Sequence, residues 1–343
     1  MIIITIILAI LIFGAFIFVH ELGHYTFARI FDVEIKEFSI GMGPKLISKV
    51  SKKTGIAYSI RILPFGGFVS MAGEDETSGS DRGLDKKPAW QRAIILVAGA
   101  TVNIIVGIIL MLSLVLSSKS LVSNTIKEFA DGAVSCNSGL MENDTVIRVG
   151  KRKTHIAYDL AYAIMTEATE PVDVTVIRNG EKLVIEDVVF PTTDEGGIVT
   201  GMADFRLVTE EKTFFGVIKT AYYESVTSVR LIWDSIIDLV RGKYGVDQMS
   251  GPVGITSAIG DAAKSGTSSL LYLTALLSLN LGIMNLLPLP ALDGGQLVFV
   301  IIEVLRGGKK LKQEIVGYIN AAGLAVIMLF GIFITIKDVI KLF

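Results

Sequence analysis

Two histidines four residues apart with a glutamate between them, in the run His20-Glu21-Leu22-Gly23-His24, are the part of this 343-residue chain best suited to chemistry. On a helix, residues four apart share a face, so both imidazoles can grip one metal ion while Glu21 beside them handles a proton. That is a zinc hydrolase signature. The same pattern also arises by chance as a few polar residues on a surface helix. Here it interrupts an apolar stretch from residue 1 to about residue 31, in which Glu21 is the only formal charge before Arg29. An ionised group in a membrane segment costs on the order of 2–3 kcal/mol even on a lenient scale, so such groups face a protein interior and carry function. The chain has three histidines, and two of them are here.

Two histidines leave a tetrahedral zinc one protein ligand short, with the fourth position of a catalytic site kept for water. A single cysteine, Cys136, excludes an internal disulfide and a thiolate-rich site, which leaves histidines and carboxylates as ligands. Asp293 is the natural candidate. It is the only charged residue between Lys264 and Glu303, and Pro288 and Pro290 just before it break a helix where only protein-buried or cavity-lining backbone is tolerated. Its other reading is a helix cap, since Asp ahead of Gly294 and Gly295 is common turn chemistry, and two carboxylate oxygens allow both roles.

The elements that must position these residues are membrane helices. Apolar residues make up 51% of the chain and charged ones 19%, so the charges cluster outside the apolar segments. A net charge of −2 gives no reason to expect nucleic acid as a partner. The opening run lacks a basic leader and continues past the length of a signal peptide into the histidine motif, so it reads as an uncleaved transmembrane helix. His20 then lies about 27 Å from Ile2, near the far face of a hydrocarbon core about 30 Å thick. Ten Lys or Arg between Asp32 and Arg92 place that loop in the cytoplasm and the N-terminus outside. Within it, residues 39–44 read as a tight glycine loop, and residues 58–63 followed by 64–69 as a hairpin or bent strand pair. Residues 74–87 read as a polar connector.

A second transmembrane helix is expected over about residues 93–116, with Asn103 as its one strongly polar side chain, most simply an interhelical hydrogen bonder and otherwise a direct catalytic part. From 118 to 207 the composition turns globular. Strands are expected at 144–149, 172–178 and 182–190, with a helix at 158–166 and a turn at Asn179-Gly180. Residues 138–147 are similar to the turn that precedes a strand in PDZ domains, with Asn143 where glycine is usual, a change that positive φ tolerates. His155 reads as a surface residue. Residues 214–240 form an amphipathic pattern with several charges, which fits a helix lying on the membrane surface, and a loop at 250–254 follows. The remaining spans are expected at about 268–286 and 316–336.

The histidine motif in a first transmembrane helix, the run Asn285 to Gly295 (N-x-x-P-x-P-x-L-D-G-G) after a later one, and a PDZ-like segment between them together resemble the site-2 protease family of intramembrane zinc metalloproteases, in its RseP-like branch, here with a single PDZ domain. The resemblance implies a polytopic α-helical membrane protein of about four transmembrane helices with a membrane-reentrant β-hairpin and one inserted PDZ-like α/β domain. Its parts would be residues 1–117, 118–207, 208–266 and 267–343. It implies Zn2+ on His20, His24 and Asp293, Glu21 as the proton-handling base, and Asn285 hydrogen-bonding the substrate backbone. Gly66, Gly67 and Phe68 would offer a strand edge that captures an unwound substrate segment. The implied partners are the lipid bilayer and single-pass membrane proteins already trimmed by another protease, such as anti-sigma factors or remnant signal peptides. The implied location is the inner (plasma) membrane, with the N-terminus and the PDZ-like domain outside and the active site near the cytoplasmic face. One departure is Ala100, where the family often has proline and a kink. Two other classes fit parts of the pattern. A transporter would show internal repeats, and none is found; a catalytically dead scaffold would have an altered Glu21, and Glu21 is intact.

Overall fold

A computed structural model describes residues 2–74, 79–195, 197–243, 245 and 248–341, so that 75–78 of the polar connector lie outside the described residues. The chain divides into two units, Met1–Gly107 with Gly245–Phe343, and Ile108–Tyr244. Its helices are α1 (Ile2–Ile30), α2 (Ala89–Ser117), α3 (Ala157–Glu167), α4 (Phe214–Val240), α5 (Pro252–Ser265), α6 (Thr267–Asn285), α7 (Asp293–Leu305) and α8 (Gln313–Ile340). Among the described residues, α1, α2, α6 and α8 are long and apolar enough to cross a membrane. α2 begins four residues before its apolar run because Pro88 stands just ahead of its first turn, where a missing N–H costs nothing. It runs unbroken through Ala100.

In the first unit, the loop after α1 folds as two long strands, β1 (Ile35–Val50) and β2 (Ala57–Met71). Each doubles back on itself. Ile60 is opposed by Ile40 on one side and Ile47 on the other, and Ile40 by both Ile60 and Gly67. The expected glycine loop at 39–44 is therefore a bend inside β1, where Gly41 and Gly43 take φ of +86° and +82°. At Gly41 a Cβ would stand 2.5 Å from the Leu63 carbonyl oxygen, so only glycine fits the fold-back. Residues 58–69 form one bent strand whose partner is β1 rather than a hairpin of their own. Val33, Ile35, Phe38, Val69 and Met71 bury against Ala28 of α1 and Ile95 of α2, which fastens this sheet beside the histidine-bearing turn.

One helix, α5, had no sequence expectation, while α7 is the helix that the cap reading of Asp293 implied. α5 occupies part of the segment read as a loop. Pro252 opens it, and its first amides are capped from far along the chain, because Asp338 of α8 accepts from the N–H groups of Gly251 and Gly254, each at 2.8 Å. α7 begins at Asp293 itself.

The second unit holds strands β3 (Leu121–Phe129), β4 (Thr145–Val149), β5 (Arg152–Lys153), β6 (Val172–Arg178), β7 (Glu181–Val188), β8 (Thr192–Glu195), β9 (Ile198–Gly201) and β10 (Phe205–Glu210). The main sheet runs β10-β3-β4-β6-β7 with β5 on β4, all antiparallel. Its apolar side, with Ile126, Val146, Val149, Val174 and Val176, buries against Leu160 and Ile164 of α3. Asn143 does take positive φ, +68°, and Asn179-Gly180 turns β6 into β7 with positive φ at both residues. His155 is no free surface residue: its ring bonds Asp159 and stacks on Tyr223 of α4 with centroids 4.0 Å apart. α4 spans the residues expected, and its Asp234 accepts from Arg152 and Tyr162.

Candidate active site

The 3.6-residue repeat of α1 puts His20 and His24 one turn apart, and both are buried, at 9% and 8% exposed. Their Nε2 atoms are 3.2 Å apart. Asp293 Oδ2 completes a triangle, 3.2 Å from His20 Nε2 and 3.4 Å from His24 Nε2. A tetrahedral zinc with bonds of about 2.0–2.1 Å separates its ligand atoms by about 3.3–3.4 Å, so the three atoms already stand at the spacing such an ion demands. Asp293 Oδ2 is buried and has no hydrogen-bond partner among the described residues, which leaves its lone pairs open to a cation. His24 Nδ1–H donates to the Ile95 carbonyl at 2.8 Å, which fixes the tautomer that turns a lone pair on Nε2 toward Asp293.

Close backbone approach makes room for this. A Cβ on Gly23 would stand 2.7 Å from the Ala98 carbonyl oxygen, so α1 and α2 touch there through main chain. One on Gly99 would stand 2.4 Å from His24 Nε2 and 2.8 Å from His20 Cε1. The imidazoles lie in the hollow that Gly99 leaves.

Asp293 arrives by a sharp reversal. After α6, the segment holding Pro288 and Pro290 turns back over the start of α7, with Ala291 at φ +70°. Cβ atoms on Gly294 and Gly295 would stand 2.3 Å from the Leu286 and Leu287 carbonyl oxygens and 2.1 Å from that of Leu289, so both glycines are needed for the reversal to close. Asp293 is the first residue of α7, the cap position belongs to Leu292, and the carboxylate is turned to the histidines rather than to the helix amides. A buried ion pair, Arg92 to Glu303, ties α7 to the start of α2.

Glu21 lies next to the triangle on α1. Gly67 of β2 packs on it, where a Cβ would be a tight fit (3.1 Å to Glu21 Cγ), and the Val69 amide faces its carboxylate. Phe68, Glu21, both histidines and Asp293 line one cavity of about 610 Å³. Asn285 brings Nδ2 to 3.5 Å from His20 Nδ1. Gly66 is not brought in: it bends β2 at φ +82° against Met42. Sequence reasoning missed Gly99. The available signal was that Gly99 and Asn103, four apart, share one face of α2.

Among the described residues, four membrane-length helices and a buried two-histidine, one-carboxylate cluster with a glutamate beside it define a multi-pass membrane protein with a metallohydrolase-type site. Comparison with known proteins agrees. The model of peptidase family M50 matches residues 8–330. A Clostridium acetobutylicum protein, provisionally named a zinc metalloprotease, is 33% identical over 98% of this chain and 97% of its own. The regulator of sigma-W protease RasP of Bacillus subtilis is 29% identical over 99% of both chains, and the zinc metalloprotease RasP of Bacillus licheniformis 30% over 99% of both. The chain belongs to peptidase family M50, the site-2 proteases, and is a membrane metalloprotease of that family.

Proposed function

We propose that this protein is an intramembrane zinc metalloprotease that hydrolyses a peptide bond in or near the transmembrane segment of single-pass membrane proteins, with His20, His24 and Asp293 holding the zinc and Glu21 moving the proton. The observation that carries the reading is the triangle of Nε2, Nε2 and Oδ2 atoms at 3.2–3.4 Å with Glu21 on the adjacent helix position. When bound there, zinc supplies a Lewis acid that makes water nucleophilic near neutral pH. Glu21 takes the water's proton and passes it to the leaving amine, with Gly67 packed beside it and the Val69 amide facing its carboxylate. A peptide bond inside a helix is shielded, so the substrate must unwind. In β2, residues 67–71 pair with β1 along one side, which supports capture of the unwound segment on the other by added strand pairing, with Phe68 in the cavity and Asn285 holding substrate backbone.

The basic loop between α1 and α2 supports a plasma-membrane orientation with the site near the cytoplasmic face, the sheet of β1 and β2 dipping into the membrane, and the N-terminus and residues 118–207 outside. The antiparallel sheet packed on α3 supports a PDZ-like domain at 118–207, acting as a gate that admits substrates already trimmed on their outer side. The sigma-W name of the Bacillus subtilis relative supports anti-sigma-type membrane regulators as substrates, with remnant signal peptides the other candidate class. The test is co-expression with a tagged single-pass protein truncated on its outer side. Wild type should cleave it, and Glu21→Gln should be slower by about 10²–10⁴ while retaining stoichiometric zinc. Equal cleavage by the variant, or no metal in either purified protein, overturns the reading.

A further inference from the structure

Asn103 is wholly buried midway along α2, and its amide does not match its neighbour as it stands. Nδ2 lies 3.4 Å from His20 Nδ1, while Oδ1 is buried with no partner among the described residues. An imidazole that offers the Nε2 lone pair to a metal carries its proton on Nδ1, so Nδ1 is a donor and needs an acceptor. The amide's two ends have the same shape. Turned half a revolution about its last bond, it places Oδ1 on the His20 Nδ1–H.

The interhelical role that a lone Asn ordinarily takes is filled here by main chain: Ser278 of α6 donates to the Asn103 carbonyl oxygen at 2.8 Å, which leaves the side chain to His20. The other histidine already shows the matching arrangement, since His24 Nδ1 donates to the carbonyl oxygen of Ile95, two turns earlier on α2.

We infer that Asn103 is a positioning residue of the metal site, accepting the Nδ1–H of His20 and so selecting the tautomer whose Nε2 faces Asp293. α2 would then orient both histidines, one through a main-chain oxygen and one through an amide oxygen. Asn285, half-buried and 3.5 Å from the same nitrogen, is not needed for that bond and keeps its amide for substrate. This rests on the zinc reading of the triangle.

The test measures zinc affinity of the purified full chain in detergent by competition with a chromophoric chelator, beside thermal midpoints. Asn103→Leu removes the acceptor at similar size and should weaken zinc binding by about 10–100-fold. Asn103→Asp restores an acceptor and should bind close to wild type. If Asn103→Leu is not recovered folded, Asn103→Ala removes the acceptor without bulk and should show the same loss. Wild-type affinity in Asn103→Leu or Asn103→Ala, with only the melting changed, overturns the inference and leaves a structural asparagine. Equal losses in the Asp and Leu variants overturn it too, because an acceptor would then not suffice. Wild type without zinc overturns the metal reading itself, and the inference falls with it.

Discussion

Replacing Gly99 by alanine adds one methyl group at the point where α2 presses on both imidazoles. The new carbon would stand 2.4 Å from His24 Nε2, and 2.8 and 2.9 Å from His20 Cε1 and Nδ1. Optimal contact lies near about 3.5 Å, so these rings must give by roughly an ångström. They have little room to do so. His24 is tied to the Ile95 carbonyl, and α1 and α2 already meet through main chain at Gly23. Overpacking of this kind costs about 1–3 kcal/mol, and because the displaced atoms are the proposed ligands the cost falls on metal binding. At about 1.4 kcal/mol per tenfold, zinc should bind Gly99→Ala some 5–150-fold more weakly, and cleavage at limiting zinc should fall in step. The thermal midpoint of the metal-free protein should move less, since alanine favours a helix over glycine by up to about 1 kcal/mol. The control is Gly14→Ala on α1, where a Cβ meets nothing within 4 Å and zinc binding should be unchanged. Chelator competition on the purified proteins reads all of this. If Gly99→Ala binds zinc like wild type, the hollow is not what seats the imidazoles and the argument for the site's construction fails.

Other elements make further tests. Arg92 and Glu303 are each only 12% exposed, so Arg92→Met leaves a buried carboxylate uncompensated and should cost about 3–5 kcal/mol, while adding Glu303→Leu should recover most of it; unfolding midpoints of the two variants decide, and equal instability would count against the pairing. Asp338→Ala removes the acceptor for the Gly251 and Gly254 amides and should destabilise by about 1.5–3 kcal/mol, with hydrogen exchange rising first in α5. On α4, burial pushes the Glu224 carboxyl up to about 7, and its Oε2 has no partner among the described residues. The folded chain therefore holds a proton that the unfolded chain has lost between about pH 4.5 and 7, so this group's effect is to lower stability as pH rises through that window. Glu224→Gln should flatten that slope and be the more stable protein at pH 8 by up to about 3 kcal/mol; parallel stability curves against pH would refute this.

The membrane helices were legible because they are local: each is a long apolar run bounded by charge or proline, and α1, α2, α6 and α8 lie where those runs do. The three residues of the proposed metal triangle stood out because a charge or an imidazole in an apolar segment is rare and costly. Other features were not legible, for reasons that are equally physical. α5 hid in a glycine- and serine-bearing segment because its cap is the carboxylate of Asp338 on another helix. The fold-back of β1 and β2 hid because Ile40 and Ile47 are both partners of Ile60, and strand pairing between distant residues leaves no periodic trace. Gly99 read as an ordinary small residue, since nothing nearby in the chain says that two imidazoles occupy its missing side chain.

By itself, then, the sequence singled out the residues proposed to carry the chemistry and the segments that can live in a membrane, for both follow from residue type and short-range period. His20 and His24 share a face whatever else the chain does. Only the tertiary structure decided that Asp293 completes a triangle with them at 3.2–3.4 Å, that Gly67 packs beside Glu21, and that α2 supplies a partner for the far nitrogen of His24. Those distances depend on α1, α2, β2 and the reversal before α7 meeting at one point. That meeting is set by backbone contacts at Gly23, Gly99, Gly294 and Gly295, where the absence of a side chain lets elements remote in sequence approach within van der Waals distance.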